Sequence, residues 1–396
     1  MLFIVVASAI HIDPAFADSE LAKNESHADE TMVMADFDIL DGSGVLKNVD
    51  DQLSGIPMEP VGVGWLDDLV IAPVPGYSPQ LGWMLSGLAG YFMDMDKNNP
   101  ETKPSIIGVF GMISENDSYA YGAGTYLHLF GDEVRVKAGV GYGDINYRYY
   151  GTGYILNQSG VSVQVRQKMP LYFVSTTYRV WNQLYMGIGF LGGNVETGID
   201  VRYEGPPLFF DPTLNLDVAA LEIPLQFDTR DHEQFPRNGW LINGRALLYR
   251  DELGSDVDTE TFMVNFNKYI PIRKRDVLAL RLYLRGTGDD APFFLKSTFG
   301  GRTDLRGYEA GRYRDRMMYA TQAEYRWQYS DRWIFTGFAG FGEVAEQFSE
   351  MGEETLPAAG VGIRFVISKK HNVGLAADAA TGIDGNEFYF GVGQAF

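Results

Sequence analysis

Cysteine is absent from all 396 residues, which excludes a disulfide framework, thiolate catalysis and any cysteine-ligated metal. Long apolar runs are missing too. Beyond the extreme N-terminus, no stretch reaches the ~18 apolar residues that a membrane-spanning helix requires. Histidine is scarce, and His11, His27, His128, His232 and His371 show no ligand spacing, so no metal site is expected. No G-x-S-x-G elbow occurs, and nothing in the sequence supports catalysis. Positive charge is in deficit. Lys and Arg number 32 against 52 Asp and Glu, for a net charge of −20, and such a chain repels nucleic acid. Gly187-Ile188-Gly189-Phe190-Leu191-Gly192 satisfies G-x-G-x-x-G, but it has no βαβ context. A glycine-rich strand explains it, and neither a nucleotide nor another cofactor is expected.

What the chain does have is glycine, 46 of them, 14% aromatic residues, and short alternating apolar pieces. Leu2 to Ile10 forms an apolar core, and Ala15-Phe16-Ala17 reads as a cleavage site, so residues 1–17 are expected to be a signal peptide. The customary basic residues before that core are missing, so the natural start is expected to lie upstream. Residues 18–80 read as an acidic periplasmic arm without clear period. Residues 81–396 follow period two. In Leu278 to Arg285 the four leucines share one face, while Arg281, Tyr283 and Arg285 share the other. Tyr319, Thr321, Ala323, Tyr325 and Trp327 alternate with Ala320, Gln322, Glu324, Arg326 and Gln328. Near the end, Phe388, Phe390, Val392 and Phe396 form the apolar face.

Alternation alone also fits a soluble sandwich. However, these segments run longer than the usual strand of about 5–6 residues. Their apolar faces end in Tyr or Trp, as an interfacial girdle requires, and their polar faces carry long Arg and Glu side chains suited to a wet lumen. The sequence therefore predicts an all-β, transmembrane antiparallel β-barrel in contact with outer-membrane lipid. About fifteen strands can be delimited after Gly82. Closure with both ends in the periplasm needs an even number, sixteen, and the unassigned strand is expected within 143–215. Turns at 330–332 and 368–372 are expected to face the periplasm, and segments 251–257 and 286–317 the outside.

The segment 300–315 carries glycines 300, 301, 307 and 311 with arginines 302, 306, 312 and 314. Each such charge would cost ~2–4 kcal/mol at the lipid midplane. The segment must therefore lie in water or fold into a polar lumen.

Three spaced elements resemble the BamA/TamA-type outer-membrane barrels of the bacterial surface antigen superfamily. Asp228, Arg230 and Asp231, followed by Pro236 and Gly239, are similar to that family's D-x-R-D…P-x-x-G turn. Gly300-Gly301 through Leu305-Arg306-Gly307-Tyr308 is similar to its V-R-G-F/Y loop. The strand 388–396, with Gly391, Gly393 and an aromatic Phe396, is similar to its terminal assembly signal. The resemblance implies that the loop folds into the barrel, with Arg306 clamped by a carboxylate on the next strand, where Glu324 matches. Two departures stand out. The family's F-x-D-x-G pattern appears here as Phe338-Ala339-Gly340-Phe341-Gly342, so the second clamp is expected to be absent. Gln394 occupies a place where an apolar residue is usual. The resemblance further implies a seam between first and last strands that opens sideways. Its function would be protein insertion or translocation at the bacterial outer membrane, with client or periplasmic proteins as partners. Too few residues precede the barrel for a POTRA module, so the expectation is a barrel-only member. The alternative is a passive or structural barrel, such as a small pore or surface antigen.

Overall fold

Period-two patterning gives each strand one wet and one greasy face, and a closed cylinder satisfies both while leaving no sheet edge. In a computed structural model, which describes residues 69–95, 102, 104–200, 213–232, 235–368 and 373–396, sixteen of the described strands close into one antiparallel barrel. The first eight are β1 (Leu69–Ser78), β2 (Gly82–Met93), β3 (Ser105–Ser114), β4 (Tyr119–Leu129), β5 (Val134–Tyr149), β6 (Val163–Trp181), β7 (Leu184–Asp200) and β8 (Leu214–Asp228). The wall continues with β9 (Gly239–Tyr249), β10 (Thr259–Pro271) and β11 (Val277–Thr287). It is completed by β14 (Met317–Gln328), β15 (Trp333–Ala345), β16 (Leu356–Ser368), β17 (Val373–Gly382) and β18 (Gly385–Val392).

Sequence neighbours pair around the cylinder, but β11 pairs directly with β14 because the chain between them leaves the wall. That excursion forms a separate hairpin, β12 (Ser297–Phe299) with β13 (Tyr313–Asp315), which is buried. A short helix, α1 (Tyr154–Gln158), sits in the β5–β6 connection and grips it. The Arg314 N–H donates to Asn157 Oδ1 and the Gly153 N–H to the Arg314 carbonyl, each at 2.9 Å.

The two faces separate as the pattern predicts. On β14, Ala320, Gln322, Glu324 and Arg326 are buried inside, while Tyr325 and Trp327 look outward. Val361 and Phe388 are 65% and 61% exposed on the outer wall, where lipid rather than water would cover them. Trp327, Tyr329 and Phe335 cluster at one rim, with ring centroids 5.5–6.0 Å apart, in the manner of an interfacial girdle.

Two sequence expectations need correction. The sixteenth strand is not within 143–215. It is β1, upstream of Gly82, so the barrel begins at Leu69 rather than near 81. Pro73 and Pro75 disguise it, because proline is rare inside a strand and reads as a loop. The alternation also does not run to the last residue. β18 stops at Val392, and Gly393, at φ +74°, turns the chain inward. Phe396 thereby packs inside, against a buried cluster of Tyr269, Val277 and Ala279. The segment 1–17, most of the acidic arm and the turn 369–372 lie outside the described residues.

Candidate functional site: the plug and the seam

Residues 288–316 fold into the lumen as a plug, and its tip carries Arg306. The Arg306 side chain is fully buried, with Nη2 2.5 Å from Glu324 Oε2 and Nε donating to Gln322 Oε1 at 3.0 Å. Its guanidinium lies 3.4 Å from the centre of the Phe338 ring. Glu324 in turn accepts from Arg326 Nε at 2.7 Å and faces Arg364 at 3.8 Å. The planar guanidinium forks around this carboxylate fix its orientation. Losing one partner of an isolated buried pair costs ~3–5 kcal/mol, and here Arg326 and Arg364 would remain beside Glu324.

The departure at Gly340 predicts no second carboxylate on Arg306, and the structure overturns this. Asp378, on β17, lies 3.2 Å from Arg306 Nη1 and is itself held by Arg364 at 2.7 Å. The acid comes from a strand two further along the wall than β15. A Cβ on Gly362 would fall 1.9 Å from Asp378 Oδ1, so glycine there leaves room for the relocated carboxylate. Sequence reasoning missed Asp378, although a lone acid within Leu375-Ala376-Ala377-Asp378-Ala379-Ala380 was a usable signal.

The neighbours of Arg306 fasten the loop further. Gly307, at φ +117°, lets the backbone press against Thr381, where a Cβ would come within 2.9 Å of its carbonyl. Tyr308 is fully buried and donates from its hydroxyl to the Pro357 carbonyl at 2.6 Å. Burial pushes its phenol up to about 12. Phe299 and Tyr313 surround it, both edge-on at 5.6 Å. Nearer the rim, Glu309 accepts from Arg148 at 2.8 Å and from the Tyr150 hydroxyl at 2.8 Å. Burial raises the Glu309 carboxyl above its ordinary range, and Arg148 only partly offsets this.

The seam is thin. Between β1 and β18 the register contains one pair, Tyr77↔Phe390. By contrast, β1 and β2 share ten pairs, from Leu69↔Tyr91 to Ser78↔Gly82. That ladder runs unbroken past Pro73 and Pro75, so their donor-less nitrogens face β18 instead. Proline on this edge removes two N–H groups that could pair with β18, and it leaves fewer unsatisfied donors facing lipid. Gly391 pairs with Ala376 on β17. Gly393 marks the inward bend, and its carbonyl accepts from Arg302 at 2.7 Å. Gln394, polar where an apolar residue was expected, accepts from Arg364 at 3.4 Å.

The turn residues stand apart from the plug. Arg230 clasps Asp228 at 2.7 Å, and Asp231 accepts from the Arg237 and Asn238 amides at 2.9 and 3.1 Å. Gly239, at φ +113°, sits where a Cβ would fall 2.2 Å from the Thr229 carbonyl. With the buried Pro236, these residues close the β8–β9 connection. Among the described residues, no group of three or more His, Asp or Glu side chains is placed to hold a metal.

The comparisons agree with this geometry. No curated protein matches the sequence significantly. Among solved structures, the BamA of Haemophilus ducreyi lacking POTRA domains 1–3 is similar at 15% identity and TM-score 0.59, covering 81% of this chain and 69% of that one. CdiB from Acinetobacter baumannii shows 11% identity and TM-score 0.55, with 82% of this chain and 59% of the other covered. CdiB from Escherichia coli shows 13% identity and TM-score 0.55, covering 83% and 62%. This chain thus spans roughly three fifths to two thirds of those proteins, and the shared feature is the fold. Residues 113–396 match the Omp85 superfamily domain, which is most of the described barrel, and the chain belongs to that superfamily of bacterial outer-membrane barrels.

Proposed function

We propose that this barrel passes protein segments into or across the outer membrane through its β1–β18 seam, with the plug closing the lumen at rest. The observation that carries the reading is the contrast between a one-pair seam and the ten-pair ladder on the other side of β1. A barrel that served only as a wall would gain from full pairing there, because unsatisfied backbone groups are costly in lipid. The solved relatives include BamA and CdiB, and that likeness supports a role in handling other proteins. The plug, held at its tip through Arg306, speaks against a permanently open pore.

The test uses the absence of cysteine. Tyr77→Cys and Phe390→Cys, at the paired seam positions, are oxidised to lock the seam in barrels reconstituted into liposomes. An unfolded outer-membrane barrel protein is then added and its insertion followed by protease protection. Insertion that stops in the oxidised barrel and returns with reductant supports the reading. Insertion unaffected by the lock, or no faster than in protein-free liposomes, contradicts it.

A further inference from the structure

The plug is fastened to the strands at the seam, and three contacts carry that statement. Tyr389, on β18, points inward with its hydroxyl accepting from the Gly307 N–H at 3.0 Å and donating to the Tyr308 carbonyl at 2.9 Å. Asp378, on β17, holds Arg306 itself. Arg302 donates to the Gly393 carbonyl, at the bend where β18 ends. On the outer side of β18, the register with β1 among the described residues contains the pair Tyr77↔Phe390. The last strand is therefore held on one flank by β17 and from within by the plug, and less by the strand it closes against.

We infer that Tyr389 and Asp378 are positioning residues that couple the plug to the seam, so that the plug cannot leave the lumen until β17 and β18 move. This deepens the seam reading and rests on it. Physically, a shift of β18 drags Gly307 through Tyr389. A shift of β17 pulls Asp378 from the Arg306–Glu324 cluster. Either movement removes hydrogen bonds at the tip of the plug while leaving the Glu309 anchor near the rim in place. Gly382 and the buried Tyr308 add shape to the same junction, since a Cβ on Gly382 would fall 2.6 Å from both the Gly307 carbonyl and the Tyr308 ring. A one-sided fastening of this kind links two events that a plug clamped only to distant strands would leave independent.

The experiment combines Tyr389→Phe with the Tyr77→Cys/Phe390→Cys lock and reads single-barrel conductance in planar bilayers. Tyr389→Phe removes two hydrogen bonds without changing shape, and it should raise the frequency of open events about tenfold with the seam reduced. Oxidising the seam should suppress open events in the barrel that keeps Tyr389, and should suppress them much less in Tyr389→Phe, where the tie is cut. Arg302→Gln, which releases the Gly393 carbonyl, provides the same comparison if Tyr389→Phe fails to fold. Open events that persist unchanged when the barrel that keeps Tyr389 is oxidised, or that the lock suppresses equally in Tyr389→Phe, overturn the coupling and leave the seam reading intact. Paired nitroxide labels at Ile71 and Phe388 test the seam itself. A single unchanging label separation in every variant, including Arg306→Ala, overturns both. A separation that broadens in Tyr389→Phe supports both.

Discussion

Leu305 and Gly340 share one space. A Cβ built on Gly340 would lie 3.0 Å from Leu305 Cδ1 and 2.1 Å from the Thr321 carbonyl. The glycine that replaces the family's aspartate is thus the counterpart of a loop leucine that fills the same volume. Gly340→Asp is expected to destabilise the barrel by about 1–3 kcal/mol through overpacking, despite adding a carboxylate near Arg306. Leu305→Ala in the same chain should recover part of the loss. Heat-modified migration on gels checks both, and an unaltered melting midpoint for Gly340→Asp would contradict the packing argument.

Arg306→Ala leaves Glu324 to Arg326 and Arg364 and leaves Asp378 to Arg364. The expected cost is about 1–3 kcal/mol, that of lost charge-assisted hydrogen bonds. Arg306→Lys should fall between that variant and the unsubstituted barrel, since an ammonium keeps the charge but cannot span Gln322, Glu324 and Asp378 together. Urea unfolding in detergent measures the order. A lysine variant as stable as the unsubstituted barrel would show that the fork geometry contributes nothing.

Pro73 and Pro75 withhold donors from the seam. Replacing both with valine restores two N–H groups on the edge facing β18 and should lengthen the pairing there. Spontaneous disulfide yield between Tyr77→Cys and Phe390→Cys should rise, and client insertion should slow. A yield that does not change would show that something other than the prolines keeps the strands apart.

Asp132, in the β4–β5 turn, gives a pH signature. Burial alone would raise its carboxyl, but hydrogen bonds from Arg135 and His128 outweigh it and hold the group well below its ordinary 3.8. Arg135 donates to it at 2.6 and 2.8 Å, and the Tyr185 hydroxyl at 2.9 Å. Because the folded value is depressed, the stabilisation is fully present above about pH 4 and is lost as pH falls below it. Asp132→Asn should therefore lower the melting midpoint at pH 7, and the gap should narrow as acid is added. A gap that stays constant down to pH 3 would contradict this.

Much of the barrel was legible because lipid outside and polar groups inside impose period two on the strands, as in Leu278–Arg285 and on β14. The pairing of Arg306 with Glu324 was legible because both lie in a loop motif and on the strand that follows it. Asp378 was not, because contacts between strands distant in sequence leave no local spacing to read. β1 was hidden by prolines that mean loop in most contexts but here suit an edge. The inward bend at Gly393 was hidden because a glycine in an alternating run does not announce a positive φ. These last two misses fall at the seam, where the barrel departs from regular pairing.

The seam between β1 and β18 is the weak interface of the barrel on this reading, and amide hydrogen exchange in lipid nanodiscs measures it directly. Peptides covering residues 69–78 and 385–392 should exchange rapidly, with β6 and β7 protected for far longer. Equal protection of the seam strands and of β6–β7 would contradict it.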